Sequence, residues 1–204
     1  MASKLRILVA CEFSGTVRET LAARGHDAWS CDFLPTTRPG QHIQCDVRKV
    51  LRRGWWDVMI AHPDCTYLCS SGLHWNNKVP GRKEKTEEAL RFVQLLLGAP
   101  IPKIILENPV GCIGTRIRPA DQFIQPYEFG EDASKRTGLW MKNVPLLTYG
   151  LRFPGRWVRH KGKLVERWSN QTDSGQNRLG PDEDRWAERA LTYQGIADAI
   201  ADLF

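Results

Sequence analysis

A run of four apolar residues that stops abruptly in a turn is the strongest constraint on how this chain can fold. Val58 to Ala61 has the sequence VMIA, which is typical of a strand buried on both faces. Pro63 ends that strand, because proline lacks the N–H that a central strand needs. Strands of this kind belong to parallel sheets covered by helices. The run therefore predicts an α/β protein that binds its ligand at the carboxyl ends of its strands.

Apolar strands and amphipathic helices alternate through the first half of the chain. Strands are predicted at 5–10, 26–31, 42–45, 57–61 and 104–106, and helices at 16–24 and 86–97. This alternation favours a mostly parallel, right-handed sheet with helices on both faces. Beyond Pro109 the pattern predicts strands at 123–129 and 139–141, and a last helix from 193. With 204 residues and no internal repeat, a single domain over 1–204 is expected, with a basic, loop-rich insert at about 150–190.

Charge and cysteine usage narrow the functional classes. The formal net charge is +6, and the segment Gly150 to Asn170 alone has six Lys or Arg against one acid. Trp157 and Trp168 lie among these cations, which suits a phosphate backbone with stacked bases, or equally a solvated loop anchored by tryptophan. Six scattered cysteines without a CxxC pair indicate reduced thiols in a cytoplasmic protein. The sequence predicts no membrane span and no signal peptide.

Two predicted strands end in side chains that can do chemistry. Cys65 follows the strand at 57–61, and Glu107 ends the strand at 104–106. Taken alone, Cys65 suits a small buried hydrophobe, as most free cysteines are. The turn and polar residues around Cys65 favour a reactive loop instead. His62 is expected to be a satisfied loop histidine, and the spacing of the cysteines and histidines fits no zinc pattern, so no metal is expected.

The first β-turn-α-β unit has the layout of a nucleotide-binding half. Phe13, Ser14 and Gly15 form the turn after the first strand, and Asp32 closes the second strand. In this layout the helix N-terminus faces the ligand, and the acid accepts hydrogen bonds from ribose hydroxyls. Gly15 is the only glycine present from the dinucleotide fingerprint, so the layout alone selects no cofactor.

Together these residues resemble the DNA cytosine-5 methyltransferase family. Pro63-Asp64-Cys65-Thr66 is similar to the family's nucleophile motif, and Glu107-Asn108-Pro109 is similar to its Glu-Asn-Val motif. Phe13-Ser14-Gly15 matches its Phe-x-Gly turn, while Asp32 and Asp46 match the acids after its second and third strands. The C-terminal YQGIADAIADLF resembles its last motif, so the resemblance covers roughly 5–150 and 190–204.

The resemblance implies a Rossmann-like methyltransferase fold that uses S-adenosyl-L-methionine to methylate C5 of cytosine in DNA. Cys65 would add to C6 of the ring, and a protonated or proton-sharing Glu107 would support N3. The residues expected to bind the cofactor are Phe13, Ser14, Gly15, Asp32, Asp46 and Pro63. The residues expected to bind nucleic acid are Trp75, Lys78, Arg82, Lys135, Arg136, Arg156, Arg159, Lys161 and Lys163. A mobile basic linker over 78–85 is expected to close over the backbone.

Two departures from the family's pattern keep other functions open. Asp64 replaces a second proline, and its charge disfavours the thiolate of Cys65. The family's large target-recognition domain has no counterpart, since residues 150–190 are too few. One alternative is the same chemistry on a free pyrimidine nucleotide or a single-stranded nucleic acid. Another is a catalytically silent relative that binds nucleic acid or a partner.

Overall fold

The computed structural model describes residues 3–52, 54–179 and 190–204. The strands are β1 (Arg6–Ala10), β2 (Asp27–Asp32), β3 (His42–Gln44), β4 (Val58–Ala61), β5 (Lys103–Pro109), β6 (Gln122–Ile124), β7 (Thr137–Lys142), β8 (Arg156–His160) and β9 (Lys163–Arg167). The described helices are α1 (Thr16–Ala23), α2 (Ser70–Leu73), α3 (Arg82–Leu97), α4 (Ile113–Arg116) and α5 (Gln194–Ala201), with 3₁₀ turns at Val47–Lys49, His74–Asn77 and Pro126–Phe129. Within the described ranges, no helix is long and apolar enough to cross a membrane.

The main sheet has seven strands in the order β3-β2-β1-β4-β5-β7-β6. The strands β1 to β5 pair in parallel, whereas β7 runs antiparallel to both β5 and β6. The chain builds outward from β1 to β3 and then crosses back to place β4 on the other side of β1. The carboxyl ends of β1 and β4 therefore flank a topological switch point, where α/β sheets open a crevice.

Helices cover both faces of the sheet, and β1 shows how the sequence specifies this. Leu8 and Ala10 of β1 face a core that includes α3, while Ile7 and Val9 face a second core that includes α1 and α5. All four residues are fully buried. Side chains alternate between the faces of a strand, so a continuous apolar run satisfies both cores. The predicted fold class, a Rossmann-like α/β protein with a mostly parallel sheet, is confirmed.

Several predicted boundaries differ from the structure. The helix expected at 86–97 begins at Arg82, so the second half of the linker predicted over 78–85 is a helical turn. The run KEK in this stretch consists of good helix formers, which explains the earlier start. The strand expected at 123–129 ends at Ile124, because a 3₁₀ turn follows with a capping box between Gln125 and Glu128. The loop expected after Pro109 contains the short helix α4.

The basic insert contains a hairpin that the sequence pattern did not predict. Strands β8 and β9 pair antiparallel through a two-residue turn at Lys161 and Gly162. Both turn residues have positive φ, 48° and 77°, as the tight hairpin turn with the right twist requires. Lysine is uncommon at such a position, which hides the turn from sequence reading. Residues 180–189 of the insert lie outside the described residues.

The loop that follows β4 is packed against the loop that follows β5. Cys69 and Gly111 form an isolated antiparallel bridge, and the Cys112 N–H donates to the Leu68 carbonyl over 2.9 Å. A Cβ atom on Gly111 would lie 1.9 Å from the Leu68 carbonyl oxygen. Only glycine allows this approach, so Gly111 fixes the distance between the two loops.

We expect Gly111→Ala to destabilise the protein by about 1–3 kcal/mol, because the added methyl group forces two backbone segments apart. Gly114→Ala is the matched control, since a Cβ at that helical position meets nothing within 4 Å. Denaturant unfolding of both variants measures the difference. Equal stability of the two variants would contradict the role given to Gly111.

Candidate active site

A cavity of about 900 Å³ opens at the carboxyl ends of β1, β2, β4 and β5. Phe13, Ser14 and Asp32 line the half beside β1 and β2, and Cys65 and Glu107 line the half beside β4 and β5. The sequence-based expectation that these residues share one crevice therefore agrees with the geometry. Since the sheet order is β2-β1-β4-β5, the two halves adjoin across the switch point.

The turn between β1 and α1 is built around a buried carboxylate that sequence reading missed. Glu12 is 4% exposed and accepts hydrogen bonds from the Val17 N–H at 2.7 Å and the Arg18 N–H at 3.4 Å. The first amides of α1, expected to face the ligand, are therefore occupied by Glu12. The position of Glu12 shortly before a predicted helix was the sequence signal that could have indicated this contact. Because Glu12 occupies these amides, the N-terminus of α1 disfavours a phosphate group. A ligand without a phosphate group is compatible with this helix end.

Two residues give this turn its shape. Cys11 has φ 59°, a left-handed conformation that costs energy for a residue with a side chain. Gly15 has φ 73° and does not line the cavity. A Cβ on Gly15 would lie 2.5 Å from the Arg18 guanidinium, so glycine serves the turn itself and the packing beneath it.

The two acids expected to hold the cofactor have different surroundings. Asp32 lines the cavity and accepts a hydrogen bond from the Leu34 N–H over 2.9 Å. Asp46 is not among the cavity residues; its carboxylate binds Arg48, and that hydrogen bond lowers the pKa of Asp46. Cys45 and Val47 line the cavity in its place. A carboxylate next to apolar side chains suits the hydroxyls and ring of a nucleoside.

Cys65 lies in the loop after β4, where a local hydrogen-bond network fixes the turn. The Asp64 carboxylate accepts from the Thr66 N–H at 2.9 Å and from its hydroxyl at 2.6 Å. A hydrogen bond with Cys69, burial and the charge of Asp64 raise the pKa of the Cys65 thiol far above its usual range, and Lys135 opposes them. The thiol is therefore protonated in the free protein, and Cys69 contributes more to this than Asp64 does.

Glu107 is paired with His62, a contact that the sequence did not reveal. Glu107 Oε2 lies 3.1 Å from His62 Nδ1. Burial raises the pKa of Glu107, but hydrogen bonds from His62 and Thr137 and the charge of Lys135 outweigh it, so the pKa lies below its usual range. The carboxyl is thus ionised near neutral pH. The sequence predicts a satisfied His62, whereas His62 Nε2 has no hydrogen-bond partner among the described residues.

A hydrogen bond joins the ends of β4 and β5. The Asn108 amide donates to the Pro63 carbonyl at 2.8 Å, and both residues are buried. Asn108 Oδ1 and His62 Nε2 are buried polar atoms without a hydrogen-bond partner among the described residues. Buried polar atoms normally have partners, so this end of the cavity is suited to a polar ligand.

The predicted nucleic-acid contacts fall into two groups. Trp75, Arg82 and Lys135 line the cavity, whereas Lys78 lies over the Trp75 ring and Arg136 over the Phe123 ring. The others lie on the hairpin, away from the cavity wall, and are Arg156, Arg159, Lys161 and Lys163. Throughout the described part of the chain, no three side chains of His, Cys, Asp or Glu come together as a possible metal site.

No known family model matches the chain, and no curated protein matches it. Among solved structures, it is similar to a protein described as a DNA modification methyltransferase encoded within a prophage of E. coli (13% identity, 70% of this chain and 49% of that chain, TM-score 0.45). It is also similar to an rRNA methylase from Escherichia coli (11%, 69% and 58%, TM-score 0.38) and to the bifunctional kinase-methyltransferase WbdD (13%, 77% and 39%, TM-score 0.35).

The chain spans about half the length of these solved structures. With TM-scores from 0.35 to 0.45, the likenesses assign neither activity nor substrate to this chain. The interpretation of the site therefore rests on its own residues.

We expect Cys69→Ala to lower the pKa of Cys65 more than Asp64→Asn does, because the Cys69 hydrogen bond is the larger cause of the raised value. Asparagine keeps an acceptor for Thr66 while removing the charge. The rate of iodoacetamide alkylation at Cys65, followed by peptide mass spectrometry across pH, measures both variants. Alkylation profiles identical to the unmodified protein would show that neither neighbour controls the thiol.

Proposed function

We propose that this protein transfers a methyl group from S-adenosyl-L-methionine to C5 of cytosine in DNA through a covalent adduct at Cys65. The observation that supports this best is the joint placement of Cys65 and Glu107. They lie at the ends of β4 and β5, which pair in parallel, and they share a cavity with Asp32. Neighbouring strands are about 4.8 Å apart, so two groups at their ends can reach one flat ring.

The half of the cavity beside β1 and β2 suits the cofactor. Asp32 would accept hydrogen bonds from the ribose hydroxyls, and Phe13 would contact the ring. Glu12 occupies the amides of α1, which agrees with a nucleoside cofactor that has no phosphate. The cofactor supplies an electrophilic methyl group on a positively charged sulfur. Pro63 is buried where the two halves meet and would separate the cofactor from the base.

The half beside β4 and β5 suits a pyrimidine ring. C5 of cytosine is a poor nucleophile until a group adds at C6. When the Cys65 sulfur forms a bond to C6, its proton passes to solvent water, the C5–C6 double bond opens, and C5 becomes able to attack a methyl group. Solvent water then takes the C5 proton, and the sulfur leaves C6 with its electron pair as a thiolate, which restores the double bond. Glu107 stabilises the ring by its contact at N3.

The hairpin favours a polymer over a free nucleotide as the substrate. Arg159, Lys161 and Lys163 are exposed on it and form no ion pair within the residues described, whereas Arg156 is paired with Asp173. Trp157 is 64% exposed on the same hairpin. Cations with an exposed aromatic side chain suit a sugar-phosphate backbone and its bases. A base in a duplex would have to leave the stack to reach Cys65.

One observation favours a second candidate, a catalytically silent relative that binds nucleic acid. Cys69 and Asp64 hold the Cys65 thiol protonated, and a thiol is far less nucleophilic than a thiolate. In an active enzyme, the bound cofactor's positive charge would have to favour the thiolate. A silent relative needs no such change.

DNA from cells that express the protein should contain 5-methylcytosine, and Cys65→Ser should abolish it, because a hydroxyl is a much weaker nucleophile. Mass spectrometry of digested nucleosides measures the product, with RNA analysed in parallel to identify the polymer. Cys112→Ser is the control, since Cys112 is a buried cysteine that does not line the cavity. Methylation that persists in Cys65→Ser would refute the covalent mechanism. Absence of methylation with the unmodified protein would favour the silent relative.

The hairpin cations should dominate the salt dependence of DNA binding. Replacing Arg159, Lys161 and Lys163 by glutamine should lower the slope of log affinity against log salt by about 2–3, because each phosphate contact contributes about 0.9. Fluorescence anisotropy of a labelled duplex between low and moderate salt measures the slope.

The control for this experiment removes three exposed cations from elsewhere, by glutamine substitution of Lys4, Arg52 and Arg91. It should change the slope far less. Equal effects of the two triple variants would mean that binding follows overall charge and that the hairpin is a solvated loop.

A further inference from the structure

We propose that His62 and Glu107 act as one proton-sharing pair, in which His62 supplies through the Glu107 carboxyl the proton that the ring nitrogen N3 takes up when C6 is attacked. The inference depends on the proposed function for its substrate, a cytosine ring. It adds His62 as a positioning residue that acts through Glu107. Cys65 and Glu107 remain the groups that touch the ring.

The pairing follows from the register of the sheet. Ala61 of β4 lies opposite Leu106 of β5, so the next residues, His62 and Glu107, are neighbours at the strand ends. The His62 N–H donates to the Ala10 carbonyl at 2.9 Å, which holds its backbone to β1. The imidazole Nδ1 then lies 3.1 Å from Glu107 Oε2. The side chains of His62 and Glu107 are only 9% and 17% exposed, so solvent screens their interaction little.

The second ring nitrogen of His62 is not held by a hydrogen bond within the described residues, which distinguishes this imidazole from a purely structural one. His62 Nε2 is buried and has no hydrogen-bond partner among the described residues. A histidine with only a structural role usually bonds through both nitrogens, which fixes one tautomer. Here one nitrogen contacts Glu107, and His62 is one of the residues that line the cavity. The imidazole can therefore give up its Nδ1 proton without breaking a hydrogen bond at Nε2.

The pair resolves a difficulty in the chemistry. The pKa of Glu107 lies below its usual range, so the carboxylate alone has no proton to give near neutral pH. An imidazolium next to that carboxylate stores one proton between Nδ1 and Oε2. As the Cys65 sulfur bonds to C6, electrons move through the ring to N3. The proton then moves from Nδ1 to Oε2 and from the carboxyl to N3, which leaves a neutral imidazole and a carboxylate.

Titratable groups from two other segments and from the loop of His62 itself line the cavity with the pair. Lys135, just before β7, carries a positive charge that lowers the pKa of Glu107 and disfavours a second cation nearby. Asp64 and Cys65 lie in the loop after β4, and Glu12 lies in the turn after β1. Because His62 and Glu107 are in hydrogen-bond contact, we treat them as one proton-binding unit.

The test compares the pH dependence of methyl transfer in the unmodified protein and in His62→Asn. Asparagine places an amide N–H near the position of Nδ1 and cannot carry the proton. As pH rises, ionisation of Cys65 should raise the rate of the unmodified protein, and loss of the pair's proton should lower it, so the falling limb of the profile reports the pair. In His62→Asn, this fall should move at least one pH unit lower, towards the titration of a lone carboxyl, and the rate at pH 8 should drop by about 10²-fold or more. A uniform loss of rate with an unchanged profile would mean that His62 has only a structural role.

A second readout does not depend on activity. In an infrared titration, the carboxyl band of Glu107 should give a higher midpoint in His62→Asn than in the unmodified protein, because the charge of His62, which lowers the pKa of Glu107, is lost. The same midpoint in both proteins would refute the pair. If the unmodified protein transfers no methyl group at any pH, the proposed function fails, while this titration still decides whether His62 and Glu107 share a proton. His62→Gln, with its amide near Nε2, serves if His62→Asn does not fold.

Discussion

The close packing of two loops at the carboxyl ends of β4 and β5 is the contact on which the site depends. Gly111 allows the backbone of one loop to meet the backbone of the other at Leu68, and Asn108 donates to the Pro63 carbonyl. Each loop on its own would be free to move, since both are rich in turn residues. Joined in this way, they hold Cys65 and Glu107 on one cavity wall.

The resting electrostatics of the site oppose the proposed reaction. The thiol of Cys65 is held protonated, and the carboxyl of Glu107 is held ionised, whereas addition to the ring needs a thiolate and a proton for N3. Such an arrangement protects a reactive cysteine in the absence of substrate. In the proposed mechanism, a cationic sulfur bound beside Cys65 would favour the thiolate, and the imidazole of His62 would supply the proton for N3. Binding of both ligands would then assemble the reactive state.

The sequence predicted the sheet and the positions where β4 and β5 end because those features are local. An apolar run followed by proline, or by Glu-Asn-Pro, specifies a strand and its end without knowledge of its neighbours. The contact between His62 and Glu107 spans 45 positions and depends on the register of β4 and β5. Hydrophobic patterns do not give the register of buried parallel strands, whose residues are apolar on both faces.

The remaining differences between sequence and structure have equally local causes. Asp46 matches a cofactor acid by position, yet Arg48 two residues away binds its carboxylate. Lys161 adopts a positive φ that its residue type rarely takes, so the turn between β8 and β9 was not predicted.

The most direct test of the central claim is covalent capture by DNA in which cytosine is replaced with 5-fluorocytosine, because the fluorine prevents release from the thiol. The account predicts a protein–DNA adduct at Cys65, identified by peptide mass spectrometry, that forms only when S-adenosyl-L-methionine is present. An adduct on another cysteine, or no adduct from a protein that still methylates DNA, would contradict it.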